Sequence, residues 1–159
     1  MNRELTQKLH RDYMTAYRIT EIGWHGIFLI IIAVYYFCAR AWSWTFVPAW
    51  VALAAFVVSF TLFTWLIPGL IYARFRYELF EDELEIKKGV MFISNVLVPM
   101  VRVQHVELES GPLMRKYDLA AVSIVTAATT HRINGLKLAD AERLKRRIGM
   151  LAKVDDQDE

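Results

Sequence analysis

Hydrophobic and polar positions divide the chain into successive patterns. In the first 21 residues Leu5, Leu9, Tyr13, Ala16 and Tyr17 recur at three- and four-residue steps among charged side chains, the period of an amphipathic helix. From Ile22 to Ala73 polar punctuation almost vanishes, and Arg40 is the only formally charged side chain. From Arg74 the period drops to two. Phe75, Tyr77 and Leu79 alternate with Arg74, Arg76 and Glu78, as in a half-buried strand. Near the end the helical period returns, with Ala141, Leu144, Ile148 and Leu151 on one stripe and Arg143, Lys145, Arg146 and Arg147 opposite.

The apolar stretch predicts a transmembrane hairpin at 22–73, with helices at about 22–42 and 46–70. Ile22–Ala39 has no formal charge and makes a helix of roughly 27 Å, close to the hydrocarbon thickness of a bilayer. Ala41–Ala73 is longer still. Thr45 is placed to cap the second helix, whose first turn tolerates Pro48, and Pro68-Gly69 predicts a kink or a stop near its far end. Trp42 and Trp44 at one end, with Trp65 and Tyr72 towards the other, suit the two membrane interfaces. Arg3, Lys8, Arg11 and Arg18 precede the first run, Arg74, Arg76, Lys87 and Lys88 follow the second, and Arg40 stands alone between them. That bias places both termini in the cytoplasm. A cleaved leader ending at Ala39-Arg40-Ala41, a buried hairpin of a soluble protein and an oligomeric pore fit less well. Three acids precede the first run, and the intramembrane polar residues are few: His25, Ser59, Thr61 and Thr64. His25 is expected to reach back to the headgroups, the alternative being an interhelical contact or a titrating group. The segment 1–21 either lies in the membrane interface or packs on the cytoplasmic part.

Residues 74–152 predict a small antiparallel β-barrel capped by one helix, an α+β unit. Glu81-Asp82-Glu83 turns the first hairpin, and Val90–Val98 reads as a further strand ended by Pro99. Val101 and Val103 share one parity while Val106 and Leu108 share the other, so a β-bulge is expected at Gln104-His105. Leu113–Leu119 is a short irregular or helical crossing, Ala121–Ala127 and Thr130–Leu136 are strands, and Asp140 caps the last helix. Residues 153–159 form an acidic tail.

Charge narrows the classes of function. The net +2 belongs to the first 73 residues, while the residues from Arg74 onward balance fourteen basic against fourteen acidic side chains. A neutral domain of this kind excludes a phosphate-neutralising nucleic-acid binder. The single Cys38 excludes an intrachain disulfide or a cysteine zinc site. No phosphate loop, nucleophile elbow or metal-ligand spacing occurs, so neither an enzyme, a cofactor nor a small-molecule substrate is implied.

Val98-Pro99-Met100-Val101-Arg102-Val103-Gln104-His105-Val106 resembles the I-P-x-x-R-I-Q-x-V strand of bacterial pleckstrin-homology (PH)-like domains of the YdbS/YdbT kind. Gly111-Pro112-Leu113-Met114-Arg115, Leu119, Val125-Thr126-Ala127-Ala128, His131 and Ile133 follow in that family's order. Two helices followed by one such domain is similar to its shorter, YdbS-like members. The resemblance implies a PH fold in a bacterial cell membrane, acting in a homo-oligomer or in a complex with a larger PH-like membrane protein. Ala128 departs from the usual Gly, which would permit a positive φ there. Candidate partner contacts are Pro99, Arg102, Gln104, His105, Arg115, Thr126 and His131, with Arg102 and Gln104 expected first of all to bond backbone across the barrel. His105 and His131 make a weak candidate pair for a metal. Lys87, Lys88, Arg143, Arg146 and Arg147 are candidate contacts for anionic lipid, an alternative role for the domain. Phosphate-specific recognition does not fit, because three carboxylates occupy the first strand–strand loop.

Overall fold

The computed structural model describes residues 5–155. Two helical segments, α1 (Asp12–Ala41) and α2 (Val47–Thr61), are followed by a π-helical turn (Leu62–Leu66) and α3 (Ile67–Arg74). Six strands then alternate with short turns: β1 (Arg76–Leu79), β2 (Glu83–Lys88), β3 (Ser94–Pro99), β4 (Val103–Glu109), β5 (Leu119–Thr126) and β6 (Thr130–Lys137). Helix α4 (Pro112–Lys116) precedes β5, and α5 (Leu138–Asp155) ends the described chain. The chain divides into a hairpin unit, residues 17–70, and a head, residues 1–16 with 71–159.

In the hairpin, α1 and the continuous α2–α3 helix are each long and apolar enough to cross a membrane. Pro68 does not stop the second one. The π turn immediately before it accommodates the missing N–H, and helix continues to Arg74. The N-cap position is Phe46 and not Thr45, whose Oγ1 instead accepts the Val47 N–H at 3.3 Å, while Pro48 lies in the first turn as expected. His25 does not reach for headgroups. It is buried, its Nδ1 lies 2.8 Å from the Glu21 carbonyl and its Nε2 3.1 Å from Ser59 Oγ on the opposite helix, with Phe56 and Phe60 edge-on. Arg18 stacks over the Trp65 ring at 5.1 Å.

The head is an α+β unit of two three-stranded antiparallel sheets, ordered β1-β2-β3 and β4-β5-β6, around one core. Alternation supplies that core. Leu84 and Ile86 of β2, Val98 of β3, Val122 and Ile124 of β5 and Ile133 of β6 point inward, and Ala141, Leu144 and Ile148 of α5 close over them. Fully burying each aliphatic side chain contributes about 1.5–3 kcal/mol. The bulge falls where parity predicts it, between Val103 and His105. Buried Ser123 donates to Glu109 at 2.9 Å, and Glu109 pairs with Arg132 at 2.7 Å, so a central strand buried along most of its length carries no unpaired hydroxyl.

Several expectations give way. Strand β3 begins at Ser94, not Val90, because Gly89 turns the chain at φ +132° and leaves Met91, Phe92 and Ile93 outside the sheet. Asp140 lies in the first turn of α5, which starts at Leu138, and α5 runs to Asp155, into the stretch read as an acidic tail. The remainder of that tail and the first four residues lie outside the described residues. The N-terminal segment is helical only from Asp12. Before that it is an extended arm: the Tyr77 N–H donates to the Gln7 carbonyl at 3.1 Å, the His10 N–H to the Gly135 carbonyl at 2.7 Å, and Leu9 is buried in the head core. Two exposed backbone edges, on β1 and β6, outbid the local helical spacing for these residues. Lys137 Nζ then donates to Asp12 Oδ2 at 2.9 Å, holding the end of the arm.

Candidate functional site

The two sheets leave four edge strands, β1 and β3 in one, β4 and β6 in the other. The arm touches β1 at Tyr77 and β6 at Gly135. Strands β3 and β4 are joined directly by a 3-10 turn, Met100–Arg102, and the seam between them opens as a cleft of about 710 Å³. Pro99, Arg102 and Gln104 line it, together with Thr126, Ala127, Ala128, Thr129 and His131. Five of the motif residues singled out in the sequence therefore share one cleft.

Local rules explain how each side chain arrives. Pro99 ends β3 in extended backbone and starts the tight turn that exposes Arg102. The bulge leaves Gln104 without a cross-strand partner, so it stands on the rim. Neither Arg102 nor Gln104 bonds backbone across the head, contrary to expectation. Both are exposed, and among the described residues neither side chain has a hydrogen-bond partner, because the bulge and turn aim them outward. Thr126 has a structural task. Its Oγ1 donates to the Thr129 carbonyl at 2.7 Å and accepts the Thr129 N–H at 3.2 Å, closing the β5–β6 turn. Ala128 in that turn has no positive φ, so Ala serves where Gly was anticipated. Burial, with the nearby charge of Lys88, lowers the His131 imidazole below its ordinary range. Exposed Leu97 and Val101 add apolar surface on the same side.

The other candidates lie elsewhere. His105 pairs in register with Val125 and His131 with Ile124; adjacent residues of β5 face opposite ways, so the two imidazoles are on opposite faces of the sheet and form no metal pair. His105 instead lies 3.3 Å from Glu107. Among the described residues no group of three or more His, Cys, Asp or Glu could hold a metal ion. Arg115 is exposed on α4, before the start of β5, whereas the cleft is at that strand's end. Arg143 and Arg147 line a separate groove with Tyr77 and Leu79 of β1. Arg143 and Arg146 each lie 3.9 Å from a carboxylate of their own helix, Asp140 and Glu142, the arrangement of a solvated helix face. Lys87 and Lys88 are exposed at the end of β2. Sequence reasoning missed the apolar loop beyond them, Met91-Phe92-Ile93, and the only available signal was Gly89 before it.

The profile of the bacterial PH domain family matches residues 16–152. The chain is also 34% identical over 158 residues to "UPF0699 transmembrane protein YdbS" of Bacillus subtilis strain 168, with 99% of each chain covered. No solved structure matches. Two apolar helices, two three-stranded sheets with a closing helix, and these two likenesses agree, and the chain is a membrane protein that belongs to the bacterial PH domain family.

Proposed function

We propose that this protein is a non-enzymatic interaction module, anchored by its hairpin with both chain ends in the cytoplasm, whose head receives an extended segment of a partner protein along the β3–β4 seam. The observation that carries this reading is the cleft itself. Two strand edges flank it, and unbonded donors of Arg102 and Gln104 stand at its rim beside exposed Leu97 and Val101. Added strands gain backbone hydrogen bonds from such edges and specificity from alternate side-chain contacts. The partner is a second copy or a larger membrane protein with similar domains.

Photocrosslinkers placed at Gln104 and at Arg115 in the full-length protein, in native membranes, test the reading. Gln104 should give a discrete protein adduct that is lost in R102E, and Arg115 should give none. Only monomer at Gln104, or equal adducts at both positions, would overturn it.

A further inference from the structure

The loop between β2 and β3 sets three successive apolar side chains on the surface of the head. Met91, Phe92 and Ile93 are 84%, 86% and 58% exposed, in succession, at the tip of a hairpin that could have carried polar turn residues. The loop is a built feature. Gly89 adopts φ +132°, and a Cβ there would collide with the Phe92 carbonyl, so the turn is wound tightly and only glycine permits it. Its base is fixed as well, because the Arg74 guanidinium donates to the Val90 carbonyl. Arg74 is the last residue of the second membrane-length helix, immediately after an uncharged run ending at Ala73. Chain connectivity alone keeps Arg74 at the boundary where the apolar helix meets the headgroups. A loop bonded to that residue is held at the same boundary. Exposed Lys87 and Lys88 precede it, the charges that anionic headgroups attract.

We propose that Met91, Phe92 and Ile93 insert into the interfacial layer of the bilayer that the hairpin crosses, with Lys87 and Lys88 against anionic headgroups, so that the head has a second membrane contact besides its covalent tether. Aromatic and aliphatic side chains gain free energy at the headgroup–acyl boundary, and adjacent lysines add to it at modest ionic strength. The loop thereby restricts how the head stands on the membrane. This inference rests on the membrane location and not on the partner reading of the cleft.

The test uses the full-length protein in nanodiscs of phosphatidylcholine and phosphatidylglycerol, with Cys38→Ser as background and an environment-sensitive fluorophore on Phe92→Cys. Lys116→Cys, exposed on α4 and outside the cleft, is the control. Insertion predicts a blue-shifted emission at position 92, quenching by brominated lipid, and at least threefold less quenching by aqueous iodide than at position 116. A Met91→Cys label, which leaves Phe92 in place, should behave as position 92 does. Iodide quenching at 91 and 92 equal to that at 116, without quenching by brominated lipid, would overturn the proposal and leave the loop to water or to a protein partner. Crosslinking at Gln104 is unaffected by that outcome, so the two ideas fail separately.

Discussion

In the hairpin, Trp24, Phe37 and Trp50 point outward while His25 and Ser59 turn towards each other; in the head, Leu84, Ile133 and Ile148 turn inward while Lys87, Arg102 and Arg146 point outward. The same backbone chemistry is sorted in opposite directions because the surrounding solvent differs. Lipid offers no hydrogen bonds, so His25 and Ser59 turn to each other and the Thr61 hydroxyl donates to the Val57 carbonyl, while the buried Thr64 hydroxyl finds no partner among the described residues. Water penalises apolar area, so the head collects its aliphatic side chains around one core. The contrast teaches how to read an exception. Exposed Met91, Phe92 and Ile93 give the head three successive side chains with the surface character of the hairpin, and Arg74, the last residue of the second membrane-length helix, donates to the Val90 carbonyl beside them.

The contrast breaks most visibly when equal truncations are made in the two regions. Ile133→Ala removes a fully buried side chain and should destabilise the head by about 2–5 kcal/mol. Trp50→Ala, a larger truncation at an outward hairpin position, should leave head stability unchanged. Limited proteolysis of the full chain in nanodiscs across a urea series reads both, and comparable losses of head protection would erase the distinction.

A smaller effect sharpens it at the arm. Gly135 has φ +70°, and a Cβ would run into the Tyr13 ring, so Gly135→Ala should cost roughly 1–3 kcal/mol. The loss should show first as faster amide exchange at residues 7–10, where the arm meets Tyr77 and Gly135, with β2 and β5 exchanging later. Uniform acceleration across the head would instead mean that the arm is not a separable layer.

The polar contact inside the hairpin comes next. Coupling between His25 and Ser59, measured by a double-mutant cycle on His25→Ala and Ser59→Ala, is expected near 1 kcal/mol. Zero coupling in bilayer unfolding experiments would reduce His25 to a spacer between Phe56 and Phe60.

The smallest effect is one of pH. The folded head holds the His131 imidazole below its ordinary value, so acid favours the unfolded form. Its contribution to stability is complete above the unfolded value of about 6.5 and is lost as pH falls from there through the lower folded value. Imidazole resonances in the full-length protein should show His131 titrating at lower pH than a model peptide, and His131→Gln should flatten that part of the stability profile. A His131 midpoint at or above the peptide's would remove the effect.

Much of this protein was determined by its sequence. Two long uncharged runs can satisfy their backbone only as helices in hydrocarbon, and strand parity fixed the β-bulge, since a period of two cannot change phase without an extra residue. The stripe of Ala141, Leu144 and Ile148 likewise marked the closing face of α5, and the motif around Pro99, Arg102 and Gln104 marked the residues of the seam. Tertiary structure alone decided the rest, because those outcomes depend on groups far away in the chain. The spacing of Leu5, Leu9 and Tyr13 suits a helix, but the Tyr77 amide and the Gly135 carbonyl give residues 7–10 hydrogen-bond partners that local helix formation cannot anticipate. Likewise Val90–Ile93 has the composition of a strand, yet the positive φ of Gly89 and the bond from Arg74 hold it outside the sheet. Local periodicity records the preference of a segment for water or oil; which distant donor or acceptor it meets is settled only when the chain has closed on itself.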